Sequence, residues 1–156
     1  MRYITDAMKM AVSSDEENAL TGYVLGYLKR RGYKVVRLGA LRKKGVEWVD
    51  SSRELAEWVA EGNSDEGILF CWTGTGASIA ANKIPGIRAA LCVDAEQAKG
   101  ARRWNHANIL VMGMMLTSPK RAKEILDAWF STKWGKENFN LRNASKLNKL
   151  EKKYFR

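Results

Sequence analysis

Cys71, Thr73, Gly74 and Gly76 stand in one short run, Cys-Trp-Thr-Gly-Thr-Gly, directly after the apolar Ile68–Leu69–Phe70. A buried strand followed by a glycine-rich turn and a helix start fits this pattern, with Ser78 in the first turn of that helix. Cysteine acts as a base or nucleophile only as thiolate, and a helix N-terminus favours that form. Gly74 and Gly76 permit backbone geometry that a Cβ would forbid. Backbone N–H groups then turn outward toward an anionic oxygen: a phosphate, a carboxylate or a developing enediolate. A base beside an oxyanion pocket is the arrangement that proton abstraction next to a carbonyl requires. The spacing excludes two other phosphate-binding turns. A dinucleotide fingerprint needs a third glycine where Ile79 stands, and a P-loop needs Gly-Lys-Ser/Thr. Two plainer readings compete: Cys71 as an inert core thiol, and the glycine turn as a packing device.

Composition narrows the chemistry. The only histidine is His106, and no carboxylates cluster, so neither a metal nor another cofactor is expected. Cys71 and Cys92 lie in different apolar runs with no Cys-x-x-Cys spacing, which favours reduced thiols and a cytoplasmic protein. The longest apolar run, Ile109 to Leu116, is too short to cross a membrane, and MRYITDAMKM has no apolar signal core. The net charge of +10 admits two explanations. One is affinity for nucleic acid. The other, which we favour, is a solvated surface with a basic tail whose field attracts an anionic metabolite.

These residues need elements to hold them. Met8 to Val12 reads as a first strand and Lys34 to Leu38 as a second, with a helix between them striped by Leu20, Val24, Tyr27 and Leu28. Asp15 falls at the first strand-to-helix junction, where it is either a ligand contact or an N-cap. Gly39 to Val49 reads as loop, and Ser51 with Glu54 as a capping box for a second helix carrying Leu55, Trp58 and Val59. Ala89 to Val93 reads as a fourth strand, and Asp94 with Gln97 caps a helix that runs to about Arg103. Trp104–Asn105–His106 then leads into a fifth strand, Ile109 to Met112. Ser118 and Pro119 open the next helix. Past Lys133 the chain turns basic, with Leu141, Leu147 and Leu150 at helical spacing. Strand and helix alternate throughout, so the expected fold is a three-layer α/β/α sandwich on a five-stranded parallel sheet, Rossmann-like, with ligands beyond the strands' carboxyl ends.

From Cys71 through Ala90 the chain resembles the ribose-5-phosphate isomerase B family, which includes the galactose-6-phosphate isomerase subunits. The residues that carry this are Cys71, Thr73, Gly74, Gly76, Ser78, Ile79 to Lys83, and Ile84–Pro85–Gly86–Ile87–Arg88–Ala89–Ala90. The likeness reaches back to Ser14–Asp15 and forward to Asn105 and Asn108. It implies an isomerase domain over residues 1–134 and a basic C-terminal helix over 135–156 packed on a partner subunit. It further implies aldose–ketose isomerisation of a small sugar or sugar phosphate through an enediolate, without metal, in a homodimer or tetramer. Cys71 then resembles the carbon base, Thr73, Gly74, Gly76 and Asn105 the enediolate pocket, and Asp15 a sugar-hydroxyl contact. Arg142 and Lys146, four apart on one helical face, are the nearest equivalents of the family's phosphate-binding arginines.

Three departures stand out. Glu16 replaces a phosphate-holding histidine, Trp104 replaces the histidine thought to open the sugar ring, and Met114 or Met115 replaces an arginine. An aldose–ketose isomerase-like protein acting on a small sugar or sugar phosphate, of the ribose 5-phosphate/ribulose 5-phosphate type, is the leading expectation. A paralogue that binds a sugar phosphate without turnover is the alternative, and a nucleic-acid-binding protein is a weaker one.

Overall fold

Alternating side chains divide the sheet into two apolar faces. The structure is a computed structural model and describes residues 7–155. In it β1 (Lys9–Ser14), β2 (Lys34–Gly39), β3 (Glu66–Cys71), β4 (Ala89–Leu91) and β5 (Ile109–Gly113) pair in parallel in the order β2-β1-β3-β5-β4. Met10, Val12, Ile68, Phe70, Leu110 and Met112 share a core with α1 (Ala19–Arg30), α4 (Ala95–Asn105) and α5 (Pro119–Ser131). Ala11, Leu69, Cys71, Ile109 and Val111 share the opposite core with α2 (Trp48–Ala60) and α3 (Thr75–Ala81). The period of two along each strand is what lets one sheet bury both faces. α6 (Asn138–Tyr154) follows α5 and touches α4. The three-layer α/β/α sandwich is as expected.

From β1 the chain steps outward to β2, then returns to place β3 on the other side of β1. The strand order therefore reverses between β1 and β3, and a crevice opens beyond their carboxyl ends. Asp15 follows β1 and Cys71 ends β3, so the fold brings both to that crevice.

Several boundaries differ from the sequence reading. Asn18, not Asp15, caps α1: its Oδ1 accepts from the Thr21 N–H at 3.0 Å while Thr21 Oγ1 accepts from the Asn18 N–H at 3.0 Å. α2 begins at Trp48 after an N-cap at Glu47, so Ser51 is not a cap. Ser51 and Ser52 are buried in the helix and donate back to the Trp48 carbonyl at 3.1 and 2.5 Å, which satisfies hydroxyls held on the core side. The Glu54 carboxylate instead accepts from the Gly39 N–H at 2.8 Å and pairs with Arg42. β4 stops at Leu91 because the chain turns at once into the Asp94 cap of α4, whose Oδ1 accepts from the Gln97 N–H at 2.8 Å. α4 runs on through Trp104 and Asn105, and His106 ends it in the left-handed region at φ 51°.

At the amino end of the central strand β3 a buried ion pair anchors the end of α4. Arg102 meets Glu66 at 2.6 Å, and Glu66 also accepts from the Trp129 indole N–H at 2.7 Å. Burial pushes the Glu66 carboxyl above the usual range, against the pull of the Arg102 charge.

Candidate active site

The turn after β3 is shaped by close backbone packing. Gly74 takes φ 82° as the N-cap of α3, a conformation that disfavours any side chain. A Cβ there would also stand 2.5 Å from Leu91 Cδ1. On the neighbouring strand, a Cβ at Gly113 would come within 2.6 Å of the Thr73 carbonyl oxygen, so the turn lies directly on β5. So held, the Gly74 N–H donates to Cys71 Sγ at 3.2 Å and fixes the sulfur at the strand's end. Thr73 and Thr75 share a hydroxyl–hydroxyl hydrogen bond of 2.9 Å.

Gly76 has a different role from the one its spacing suggests. It sits inside α3 without a positive φ, and its missing Cβ leaves room for an indole. A Cβ there would be 3.0 Å from Cε3 and Cζ3 of Trp48. α3 is only seven residues long, so its dipole is a weak source of field.

These groups line an open cleft of about 420 Å³: Asp15, Cys71, Thr73, Thr75 and Gly76, with the indoles of Trp48 and Trp72 as walls. Relieved of capping α1, Asp15 has its Oδ1 buried with no hydrogen-bond partner among the described residues. A buried acceptor left unpaired is costly, and it is retained where a ligand can supply the donor. Burial pushes the Asp15 carboxyl above the usual carboxylate range, and the charge of Glu16 beside it adds to the rise. Such a carboxyl can both give and take a proton closer to neutral pH than an exposed one.

The other expected site residues lie outside this cleft. Glu16 is exposed and lines an adjoining cavity with Glu17 and Lys44, joined to the cleft through Asp15. Ser78 is half-buried on α3. Trp104 is exposed on α4, its ring against Gly100. Asn105 lines a separate cavity of about 470 Å³ with Arg88, Leu147, Leu150 and Glu151, between α4 and α6. Arg142 and Lys146 are exposed on α6. Met114 Sδ accepts from the Ser14 hydroxyl at 3.5 Å and Met115 is exposed. His106 is buried away from the cleft: its Nε2 is 2.9 Å from the Gly135 carbonyl oxygen and its ring stacks on Trp134 at 5.1 Å. Cys92 is a core residue, as expected, and burial pushes its thiol up to about 12. Among the described residues no group of three or more His, Cys, Asp or Glu side chains stands ready for a metal, and no helix is long and apolar enough to cross a membrane.

Sequence reasoning missed Trp48 and Trp72. Trp72 occupies the unspecified position between Cys71 and Thr73. Trp48 was read as loop, and only its seat over Gly76 brings it to the site.

Comparison with known proteins gives the same answer from three directions. Residues 10–150 match the profile of the family described as Ribose/Galactose Isomerase. The ribose-5-phosphate isomerase B of Escherichia coli is 36% identical over 111 residues, covering 71% of this chain and 74% of that protein. A D-erythrulose-4-phosphate isomerase of Pectobacterium atrosepticum is 41% identical over 85 residues, 54% of this chain and 56% of that protein. The solved ribose-5-phosphate isomerase B of Clostridium thermocellum superposes with a TM-score of 0.88 at 36% identity, over 94% of this chain and 99% of that one. With the profile spanning all five strands and the cysteine–glycine turn, this chain belongs to the ribose/galactose isomerase family.

Proposed function

We propose that this chain interconverts an aldose and a ketose phosphate, with Cys71 as the base that moves a proton between C1 and C2. The observation that carries the reading is the pairing at the β1/β3 crevice of Cys71, held by the Gly74 N–H, with Asp15, whose Oδ1 is buried and unpaired. The Cys71 thiolate takes the proton from C2 of the aldose, and the electron pair forms the C1–C2 double bond as charge moves to O1. The O2 proton passes to O1 by way of Asp15, with the Thr73 hydroxyl and the turn amides facing the developing charge. The Cys71 thiol returns its proton to C1, and the C2 carbonyl of the ketose forms. The substrates named for the relatives, a five-carbon 5-phosphate and a four-carbon ketose 4-phosphate, frame the substrate class.

The proposed assembly is a homodimer in the cytoplasm. Within one protomer Asn105, Trp104, Arg142 and Lys146 stand away from Cys71, and a second copy bringing them over the cleft supplies both a cover and cations for phosphate. Exposed Trp72, Ile79, Trp104, Met115 and Leu116 give the apolar surface for such a contact. A panel of tetrose, pentose and hexose phosphates, read by ketose formation and by thermal shift, tests the function. Turnover of at least one sugar phosphate is expected. Stabilisation by sugars with turnover of none would reduce the protein to a binding paralogue.

A further inference from the structure

We propose that the substrate is a sugar phosphate that needs no ring opening: an open-chain aldose whose phosphate occupies O4, the oxygen that would close a five-membered ring, and the ketose formed from it, of which the four-carbon 4-phosphates are the simplest. This rests on the isomerase reading above and narrows its substrate.

Isomerisation starts from a free carbonyl. A furanose must first give up its anomeric hydroxyl proton while its ring oxygen gains one, so that the C1–ring-oxygen bond breaks as the aldehyde forms. That relay is a separate acid–base task from the enolisation that follows. In the cleft, Cys71 is engaged with the carbon-bound proton and Asp15 with the exchange between O1 and O2. The remaining lining groups are poor relays. The Thr73 and Thr75 hydroxyls bond each other at 2.9 Å, and the indoles of Trp48 and Trp72 can donate a hydrogen bond but not accept a proton. Glu16 and Glu17 face the neighbouring cavity with Lys44, on the far side of Asp15.

An imidazole is the usual relay near neutral pH, and this chain has only one. His106 is buried, held by the Gly135 carbonyl and stacked on Trp134, and it closes the end of α4. A second copy of the chain brings the same histidine in the same lock, so a homodimer adds none. A sugar with its ring-closing hydroxyl phosphorylated presents its carbonyl freely and leaves this deficit without consequence.

The test compares four-carbon aldose 4-phosphates, of both stereochemical series, with ribose 5-phosphate, using the intact protein and following ketose formation. The expected kcat/KM is higher for a four-carbon 4-phosphate by about 10²-fold or more, the scale of a missing acid–base relay. With ribose 5-phosphate the initial rate should also level off as enzyme is raised, because spontaneous ring opening then limits the supply of aldehyde. Comparable kcat/KM values, or a rate on ribose 5-phosphate that stays proportional to enzyme, would overturn the proposal and leave the isomerase reading standing. Turnover of neither sugar would overturn the proposal, and turnover of none in the wider panel would overturn the isomerase reading with it.

Discussion

The indole of Trp48 lies over Gly76, so closely that a Cβ at position 76 would stand 3.0 Å from two of its ring carbons. A residue at the start of α2 is thereby held as a wall of the Cys71 cleft by a glycine in α3. Gly76→Ala is expected to displace the indole while leaving the fold intact, since alanine favours the helix by about 1 kcal/mol over glycine. KM should rise about tenfold, equivalent to ~1.4 kcal/mol of lost binding. An unchanged KM would remove Trp48 from substrate binding.

Asp15 gives a prediction in pH. Burial, with Glu16 adding, raises its carboxyl above the ordinary value. The folded protein then keeps a proton that the unfolded chain has already released, so this group's contribution to stability falls as pH rises from the ordinary carboxylate value through the raised one. Asp15→Asn should therefore raise Tm at pH 7, by about 1–2 °C for a domain of this size, and have little effect below the carboxylate range. The same variant should lower kcat by about 10²-fold or more, as loss of an acid–base group does. Thermal melts at acid and neutral pH, with kcat beside them, check both halves. A variant less stable at neutral pH would show that the Asp15 charge is favourably paired in the fold.

How far the sequence led can be judged from particular residues. The short continuous apolar runs Ile68–Phe70 and Ile109–Met112, alternating with helical stripes, were enough for a parallel sheet covered on both faces. The crevice followed from Asp15 and Cys71 each ending a strand. Asn18 and Trp48 were harder to read. Asn18 takes the cap that Asp15 stood ready for, because the chain makes a longer turn before α1, and Ser51 is drawn into α2 by burial rather than left at its end. The seat of Trp48 on Gly76 joins residues distant in sequence, and no local pattern encodes it. The same holds for His106, two residues past Trp104, whose place in the sequence says nothing of its stack on Trp134.

His106 is assigned a structural role, and its removal should show it. His106→Ala loses the contact with Gly135 and the Trp134 stack, and places alanine at φ 51°. A loss of about 2 kcal/mol is expected, lowering Tm by about 4–8 °C. His106→Asn, which tolerates the left-handed region, should recover part of it. The pH dependence of turnover should keep its shape in both variants. A lost limb of that profile would mean that the histidine titrates in catalysis.

The central claim is that Cys71 moves the proton between C1 and C2. It is tested most directly by following, in deuterated water, ketose formation and deuterium incorporation at the migrating position for the best sugar phosphate, in wild type and in Cys71→Ser. Serine keeps the side chain's size but ionises far too weakly to serve as the base. The account predicts that kcat and exchange fall together by about 10²- to 10⁴-fold, with the melting temperature little changed. A Cys71→Ser protein that isomerises and exchanges at the wild-type rate would contradict it.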